Sequence, residues 1–277
     1  MSKDEMQISE AELRAMTAHM NEMHAETFPA MESSLAEVGS SLRVRAAALG
    51  GTFASRRGFM AGGGAVIGGL LLAACSSGST SSSSSPSSGA TSDTGSSAPA
   101  SGGSGSGDNA ALATNASLEN LAVFAYGAAL KAAPMGKFGK VPPAVAEFAT
   151  HAMKQHADHA NAFNAALTNA GGTAYTKPDP ALTPTVLKLF GKVNSVPGLA
   201  MLALTLENTA AATYIKQMGE LMSPAALSAV ATIAPVERQH AAILSFVLGD
   251  YPVPDTFVKL DMTATSLGAR PSSEAGA

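Results

Sequence analysis

The sequence contains two near-copies of one short segment, LENLAVFAY at residues 118–126 and LENTAAATY at residues 206–214. Each copy places a glutamate, Glu119 or Glu207, in an alanine-rich apolar setting, and a tyrosine follows seven residues later. Carboxylates are almost never buried without a compensating partner. The repeat therefore predicts that other polar side chains meet these two glutamates inside the fold.

The segments around this repeat have the apolar period of helices, and no run has the period of a strand. Prolines and glycines mark the expected helix ends. Four main helices are expected at residues 109–132, 142–170, 197–221 and 223–248, with a short one near 184–191. Asp108 and Ser223 are the expected N-caps of the first and fourth. Short connections within each pair and a long one between the pairs predict an all-α four-helix bundle with one crossover.

Charged and imidazole side chains lie on the apolar faces of all four main helices. Residues three apart share one face of a helix, so both members of a His-x-x-His or Glu-x-x-His motif can point inward. The inward polar residues are Glu119 on the first helix, His156 and His159 on the second, Glu207 on the third, and Glu237 and His240 on the fourth.

The first two helices look like the last two. Glu119 corresponds to Glu207 in this comparison. His159 corresponds in the same way to His240. The internal repeat thus predicts a site with two similar halves.

One Glu from each of two helices and a Glu-x-x-His motif from each of the others is the ligand pattern of carboxylate-bridged di-iron bundles. Residues 108–248 therefore resemble the ferritin-like superfamily. The resemblance implies a metal site with the ligands Glu119, His156, His159, Glu207, Glu237 and His240, and with Tyr126 and Tyr214 as neighbours that pack and hydrogen-bond across the bundle. It implies iron as the cofactor, one or two ions, with Zn or Mn as substitutes.

The family also implies an oxidoreductase that oxidises Fe(II) with O2 or peroxide. One residue departs from its pattern: His156 stands where the family has a bridging Glu. Fewer carboxylates favour Fe(II), Zn or Cu over Mg or Ca, and fit an asymmetric metal pair, a single metal or a decayed site. The alternative function is a non-catalytic cell-envelope module for stress protection or interaction. His151 and Asp158 are expected at the periphery, and His19 and His24 are not expected as ligands.

Residues 55–75, SRRGFMAGGGAVIGGLLLAAC, are typical of an export signal. The apolar run 61–74 has fourteen residues, whereas a membrane-spanning helix needs about 20. The pair Arg56-Arg57 resembles a bacterial twin-arginine signal, and the residues before Cys75 resemble a lipobox. Together they resemble an exported lipoprotein of the actinobacterial type. This implies the twin-arginine machinery as a partner, lipid on Cys75 as a membrane anchor, and a position on the outer face of the cytoplasmic membrane.

The remaining segments complete the predicted organisation. Residues 1–54 form an acidic extension, expected on the cytoplasmic side, with a helix from Ser9 whose capping box uses Glu12. The Ser/Gly-rich segment 76–107 is too polar to build a core, and residues 249–277 form a loose tail. The formal net charge of −4 gives no footprint for nucleic acid, and a single Cys excludes an intramolecular disulfide. The sequence leaves the oligomeric state open, with a dimer among the options.

Overall fold

The computed structural model describes residues 6–52, 104–253 and 258–264, with side chains at 6–36 and from 107 onward. Residues 40–101 form a unit of their own, of which only the backbone of 40–52 is described. The export features Arg56, Arg57 and Cys75 lie outside the described residues, as does the apolar run 61–74. Within the described ranges, no helix is both long and apolar enough to cross a membrane.

The described part of the chain is helical, which confirms the predicted all-α fold. Its α-helices are α1 (Glu10–Thr52), α2 (Ser104–Ala132), α3 (Pro143–Asn169), α4 (Thr183–Lys192), α5 (Val196–Gln217) and α6 (Pro224–Leu248), and a 3-10 turn covers Ala133–Met135. The most extensive helix contacts are α2 with α3 and α5 with α6, the two pairs that are joined by short connections. Residues 170–195, which include α4, form the long crossover between the pairs.

Local chemistry explains where the main helices begin and end. The Ser223 hydroxyl accepts a hydrogen bond from the Ala226 amide, so Ser223 is the N-cap of α6 as predicted. At the end of α3, Gly171 adopts a left-handed conformation with φ of 84°, and the Gly172 amide donates to the carbonyl of Leu167. This is the glycine stop that the sequence predicts.

The predicted capping role of Asp108 is wrong. Helix α2 begins four residues earlier, at Ser104, within the segment expected to be an unstructured linker. The Asp108 carboxylate is buried and accepts hydrogen bonds from the amides of Met222 (3.1 Å) and Ser223 (2.6 Å). Asp108 therefore fixes the connection that precedes α6 to the first turns of α2.

Two apolar clusters fill the bundle above and below its middle. One includes Leu112, Phe163, Tyr214 and Ile233, and the other includes Leu13, Tyr126, Phe148 and Leu244. On each main helix the candidate ligands lie in sequence between residues of these clusters. The polar site therefore has apolar packing on both sides along the bundle axis, which limits its contact with solvent.

The N-terminal helix also belongs to this core. Its predicted capping box is confirmed, because the Ser9 amide donates to the Glu12 carboxylate and the Glu12 amide donates to the Ser9 hydroxyl. Leu13 and Met20 are completely buried against the bundle. Part of the C-terminal tail packs as well, since buried Ala264 donates its amide proton to the Thr213 hydroxyl at 2.8 Å.

A buried aspartate ties the crossover to α2. The Asp179 carboxylate accepts hydrogen bonds from the amides of Ala181 and Leu182 and from the Ser117 hydroxyl. The Asp179 amide donates to the carbonyl of Ser117. These bonds hold the long connection against the helix that carries Glu119.

We expect Asp179→Ala to lower the free energy of unfolding by about 1–3 kcal/mol, because it leaves buried donors without an acceptor. Urea unfolding followed by circular dichroism measures the loss. Asp250→Ala is the matched control, since Asp250 is exposed. Equal stability of the two variants would contradict the role given to Asp179.

Candidate metal centre

The structure brings all six candidate ligands together in the middle of the bundle. None of the six side chains comes from a residue that is more than 1% exposed. They form two overlapping groups in which donor atoms lie within 4.8 Å of one another: Glu119, His156, His159 and Glu237 in one, and His156, Glu207, Glu237 and His240 in the other. The two groups share His156 and Glu237.

His156 is central to this arrangement because its two nitrogens face different halves of the bundle. Nδ1 donates to Oε2 of Glu119 at 2.7 Å, and Nε2 donates to Oε1 of Glu207 at 3.2 Å. The imidazole ring stacks on Tyr126, with centroids 5.6 Å apart. His156 therefore connects the repeated glutamates of α2 and α5.

The second shared residue, Glu237, has no aligned hydrogen bond. Its Oε1 lies 2.9 Å from Nδ1 of His159, but both oxygens of Glu237 and both ring nitrogens of His159 lack a hydrogen-bond partner. Buried polar atoms of native proteins usually have such partners. The donor set thus fits a cation, which would bind these atoms directly.

His240 is oriented by a residue that the sequence analysis did not single out. Its Nε2 donates to the side-chain carbonyl of Gln155 at 2.8 Å. This bond leaves Nδ1 facing Oε2 of Glu207 at 3.3 Å. Gln155 lies next to His156 on the same inward stripe of α3, and that position was the signal available in the sequence.

The repeated tyrosines cross between the halves, as predicted. The Tyr126 hydroxyl donates to Oε1 of Glu207 at 2.6 Å, and the Tyr214 hydroxyl donates to Oε1 of Glu119 at 2.5 Å. Each copy of the repeat therefore supplies the hydrogen-bond donor for the carboxylate of the other. In metal sites such bonds fix the orientation of a ligating carboxylate.

Comparison with known families agrees with this geometry. A family model described as "Ferritin-like domain" matches residues 107–250, just over half of the chain. The chain belongs to this ferritin-like family. Neither the curated proteins nor the solved structures include a match to it.

Glu119 and Glu207 of this ferritin-like bundle stay ionised. Burial alone raises the pKa of Glu119, but the hydrogen bond from His156 and the close charges of His156 and His159 outweigh it and bring the pKa to about 2. Burial likewise raises the pKa of Glu207, and the charges of His156 and His240 bring it well below its usual value. Both carboxylates are thus available as anionic ligands at neutral pH.

The pKa values of the three imidazoles shift in the opposite direction, upward. Burial lowers the pKa of His159, but the close carboxylates of Glu119 and Glu237 outweigh it and raise the pKa to about 9. The pKa values of His156 and His240 are also raised, because the glutamate charges outweigh burial. Without metal, three imidazolium cations can balance three carboxylates; a metal ion displaces those protons when it binds.

The tyrosine hydroxyls remain protonated. Burial and then the charge of Glu207 raise the pKa of Tyr126 well above its usual value. Burial and then the charge of Glu119 do the same for Tyr214. Both hydroxyls therefore act as hydrogen-bond donors over the whole physiological range of pH.

The other polar residues near the motifs lie outside the cluster, with one exception. Nδ1 of His151 donates a hydrogen bond to Oδ1 of Asn21 of α1 at 3.0 Å, Asp158 is half-buried, and His19 is exposed. His24 is the exception: its ring centroid lies 5.5 Å from that of His159. Burial, and then the charges of His159 and His240, lower the pKa of His24 to about 4. The sequence did not reveal this contact, because α1 precedes the bundle by a long segment without helical pattern.

We expect the metal-free protein to lose stability as the pH rises from about 6.5 towards about 9. The proton on His159 stabilises the fold fully below the imidazole pKa of the unfolded chain, about 6.5, and this contribution is lost as the pH passes the folded value of about 9. Thermal unfolding in the presence of a chelator measures the trend. His159→Gln should flatten it and His19→Gln, at an exposed position, should not. A parent protein whose melting temperature rises over this range would refute the expectation.

Proposed function

We propose that this protein binds one or two metal ions, iron foremost, between its four helices and oxidises Fe(II) with O2 or peroxide. One observation carries the proposal: two groups of four buried donor residues share His156 and Glu237 in the middle of a ferritin-like bundle. A pair of overlapping sites is the arrangement that a two-metal centre needs.

The donor types support this choice of metal. Mixed carboxylate and imidazole ligands suit Fe(II), Zn or Mn, whereas Mg and Ca prefer oxygen ligands alone. The unpartnered oxygens of Glu237 supply lone pairs for a cation, and one ring nitrogen of His159 supplies another once the cation displaces its proton. With three carboxylates and neutral imidazoles, one divalent ion leaves a formal charge of −1 and two leave +1, so both occupancies are close to neutrality.

The chain's own residues divide the work of the site. When bound, iron supplies the electrons that reduce oxygen or peroxide. Glu119 and His159 would hold one ion, Glu207 and His240 would hold the other, and His156 and Glu237 would stand between them. Tyr126 and Tyr214 would fix the carboxylates through the crossed hydrogen bonds.

A small cavity supports access of a small oxidant to the ligands. It has a volume of about 30 Å³ and its lining includes Glu119, His156 and Glu207. A cavity needs roughly 10–15 Å³ to hold one water molecule. A ligand of one or two heavy atoms therefore fits beside the donor atoms.

The rival function is a cell-envelope module that keeps the bundle without catalysis. The observation that favours it is the mutual charge balance of the metal-free site, because protonated His156 already compensates two glutamates. An imidazole in place of the family's bridging carboxylate also makes the two metal positions unequal. Metal binding separates the two functions, since the rival requires none.

We further propose that the protein is exported and lipid-anchored. The support is sequence alone: Arg56-Arg57, the short apolar run 61–74 and the small residues before Cys75. The proposed partners are the twin-arginine machinery and the membrane, reached through lipid on Cys75, with the bundle on the outer face of the cytoplasmic membrane. Nothing in the charge pattern suggests nucleic acid, and the oligomeric state is open, with a dimer among the options.

Metal binding is tested by elemental analysis and thermal unfolding of the full chain. We expect one to two irons per chain and a metal-dependent gain in stability, about 2.7 kcal/mol at a free metal concentration about 100 times Kd. Glu237→Gln and His240→Ala should abolish that gain, measured in each variant against its own chelated form, because both substitutions also disturb the buried charge balance of the metal-free protein. Glu147→Gln is the control, since Glu147 is exposed. A parent protein that binds no metal would overturn the proposal and favour the rival.

Catalysis and anchoring need separate measurements. Fe(II) oxidation by the parent should exceed that of Glu237→Gln, with Glu147→Gln unchanged. Metal bound without faster oxidation would leave a binding protein and refute the oxidoreductase. For anchoring, Cys75→Ser should move the protein from the membrane to the soluble fraction of the native host. Mass spectrometry that finds an unmodified Cys75 would contradict the lipid anchor.

A further inference from the structure

Residues 13–35 of helix α1 share one continuous buried face. The residues on it recur every three or four positions, which is the spacing of a helix packed along a groove. They are Leu13, Thr17, Met20, His24, Phe28, Met31 and Leu35, each buried or half-buried. Most positions between them, including Ala15 and Ala18, are exposed. The segment is therefore amphipathic, and its apolar side already has a partner.

The partner surface is the groove between α3 and α6. The Arg14 guanidinium lies 3.4 Å from the Glu147 carboxylate, and Asn21 is bonded to His151 further along α3. Residue numbers increase in the same direction in both helices, from Arg14 and Glu147 to Asn21 and His151. This part of α1 therefore runs parallel to α3.

Contacts with α6 run in the other direction. The Gln7 amide donates to the carbonyl of Val247 at 2.9 Å, whereas Met23 accepts a hydrogen bond from Gln239. Residues 7–23 therefore lie antiparallel to α6. Two independent sets of contacts, apolar and polar, thus define one position and one register for this segment in the groove.

His24 and Phe28 of this segment contact the candidate metal centre. His24 stacks on Phe28 with centroids 4.8 Å apart, and both rings lie against His159. Nε2 of His24 and Nε2 of His159 are buried without a hydrogen-bond partner. Residues of α1 therefore separate His159 from solvent on the side of the groove.

We propose that the groove between α3 and α6 is a binding surface whose occupant is the chain's own segment 6–36, held as a separable piece that covers the His159 side of the metal centre. The contacts above identify this occupant. Its place in the sequence makes separability consequential, because a cut before Cys75 would sever it from the bundle. After such a cut, only the groove contacts would retain it, and the retained segment would lie with the bundle instead of on the cytoplasmic side expected from the sequence.

The proposal requires neither bound metal nor catalysis, so it can hold if the proposed function fails. A specific protease site placed within residues 76–100 of the full chain mimics the cut. After cleavage we expect the N-terminal piece to co-elute with the bundle in size-exclusion chromatography, at the size of one chain. Leu13→Asp with Met20→Asp should abolish co-elution, because both side chains are fully buried. Ala15→Asp with Ala18→Asp adds the same charges at exposed positions and should preserve it.

A separate measurement tests whether the N-terminal piece covers His159. In chelator, reaction of His159 with diethyl pyrocarbonate, followed by peptide mass spectrometry, should be faster in the Leu13→Asp/Met20→Asp variant than in the alanine-site control. Circular dichroism of both variants checks that the bundle remains folded. Equal reactivity of His159 in two folded variants, one with and one without the bound piece, would refute the cover.

A second test changes the polar contact between Asn21 and His151 and leaves the apolar core unchanged. Asn21→Ala and His151→Ala should each raise the dissociation rate of the cleaved piece about two- to tenfold, and the double variant should add little. Additive effects would contradict the observed pairing. Separation of the N-terminal piece from the parent bundle would overturn the proposal, and so would elution of the uncleaved parent as a dimer that exchanges this segment between copies.

Discussion

The charge balance at the centre of the bundle is the constraint on which the rest depends. Three carboxylates are buried between apolar clusters, and each needs a positive partner at short range. Protons on the imidazoles provide that partner in the metal-free chain, and a metal ion can replace them. The same six side chains thus serve the fold without metal and offer a site to metal, because protons and cations compete for the same lone pairs.

The residues around the six side chains strengthen and orient these interactions. Apolar clusters lie on both sides of the polar layer, so the layer keeps a low dielectric environment and strong interactions. Gln155 and the two tyrosines contact ligands from outside the donor groups and fix which atoms face the interior. His156 gives the layer its asymmetry, since the equivalent position on α6 is the carboxylate Glu237.

The sequence predicted much of this because the signals were local and repeated. Helical period and proline or glycine ends located the four main helices, and inward faces indicated the six polar side chains. Asp108 was misassigned because its acceptor role depends on the distant connection before α6, which no local pattern encodes. Gln155 was missed because an uncharged amide on an apolar stripe carries little signal by itself. The packing of α1 in its groove could not be predicted either, because the groove residues lie more than a hundred positions later in the sequence.

The crossed tyrosine–glutamate bonds have a consequence for how such a chain could arise. A helical hairpin of half this length would carry a glutamate but not the tyrosine that holds it, because that tyrosine sits in the other copy of the repeat. Two identical hairpins related by a twofold axis would complete each other's bonds. Fusion of the two into one polypeptide would then free each half to change alone, and the His156/Glu237 difference is the kind of divergence that a homodimer cannot make.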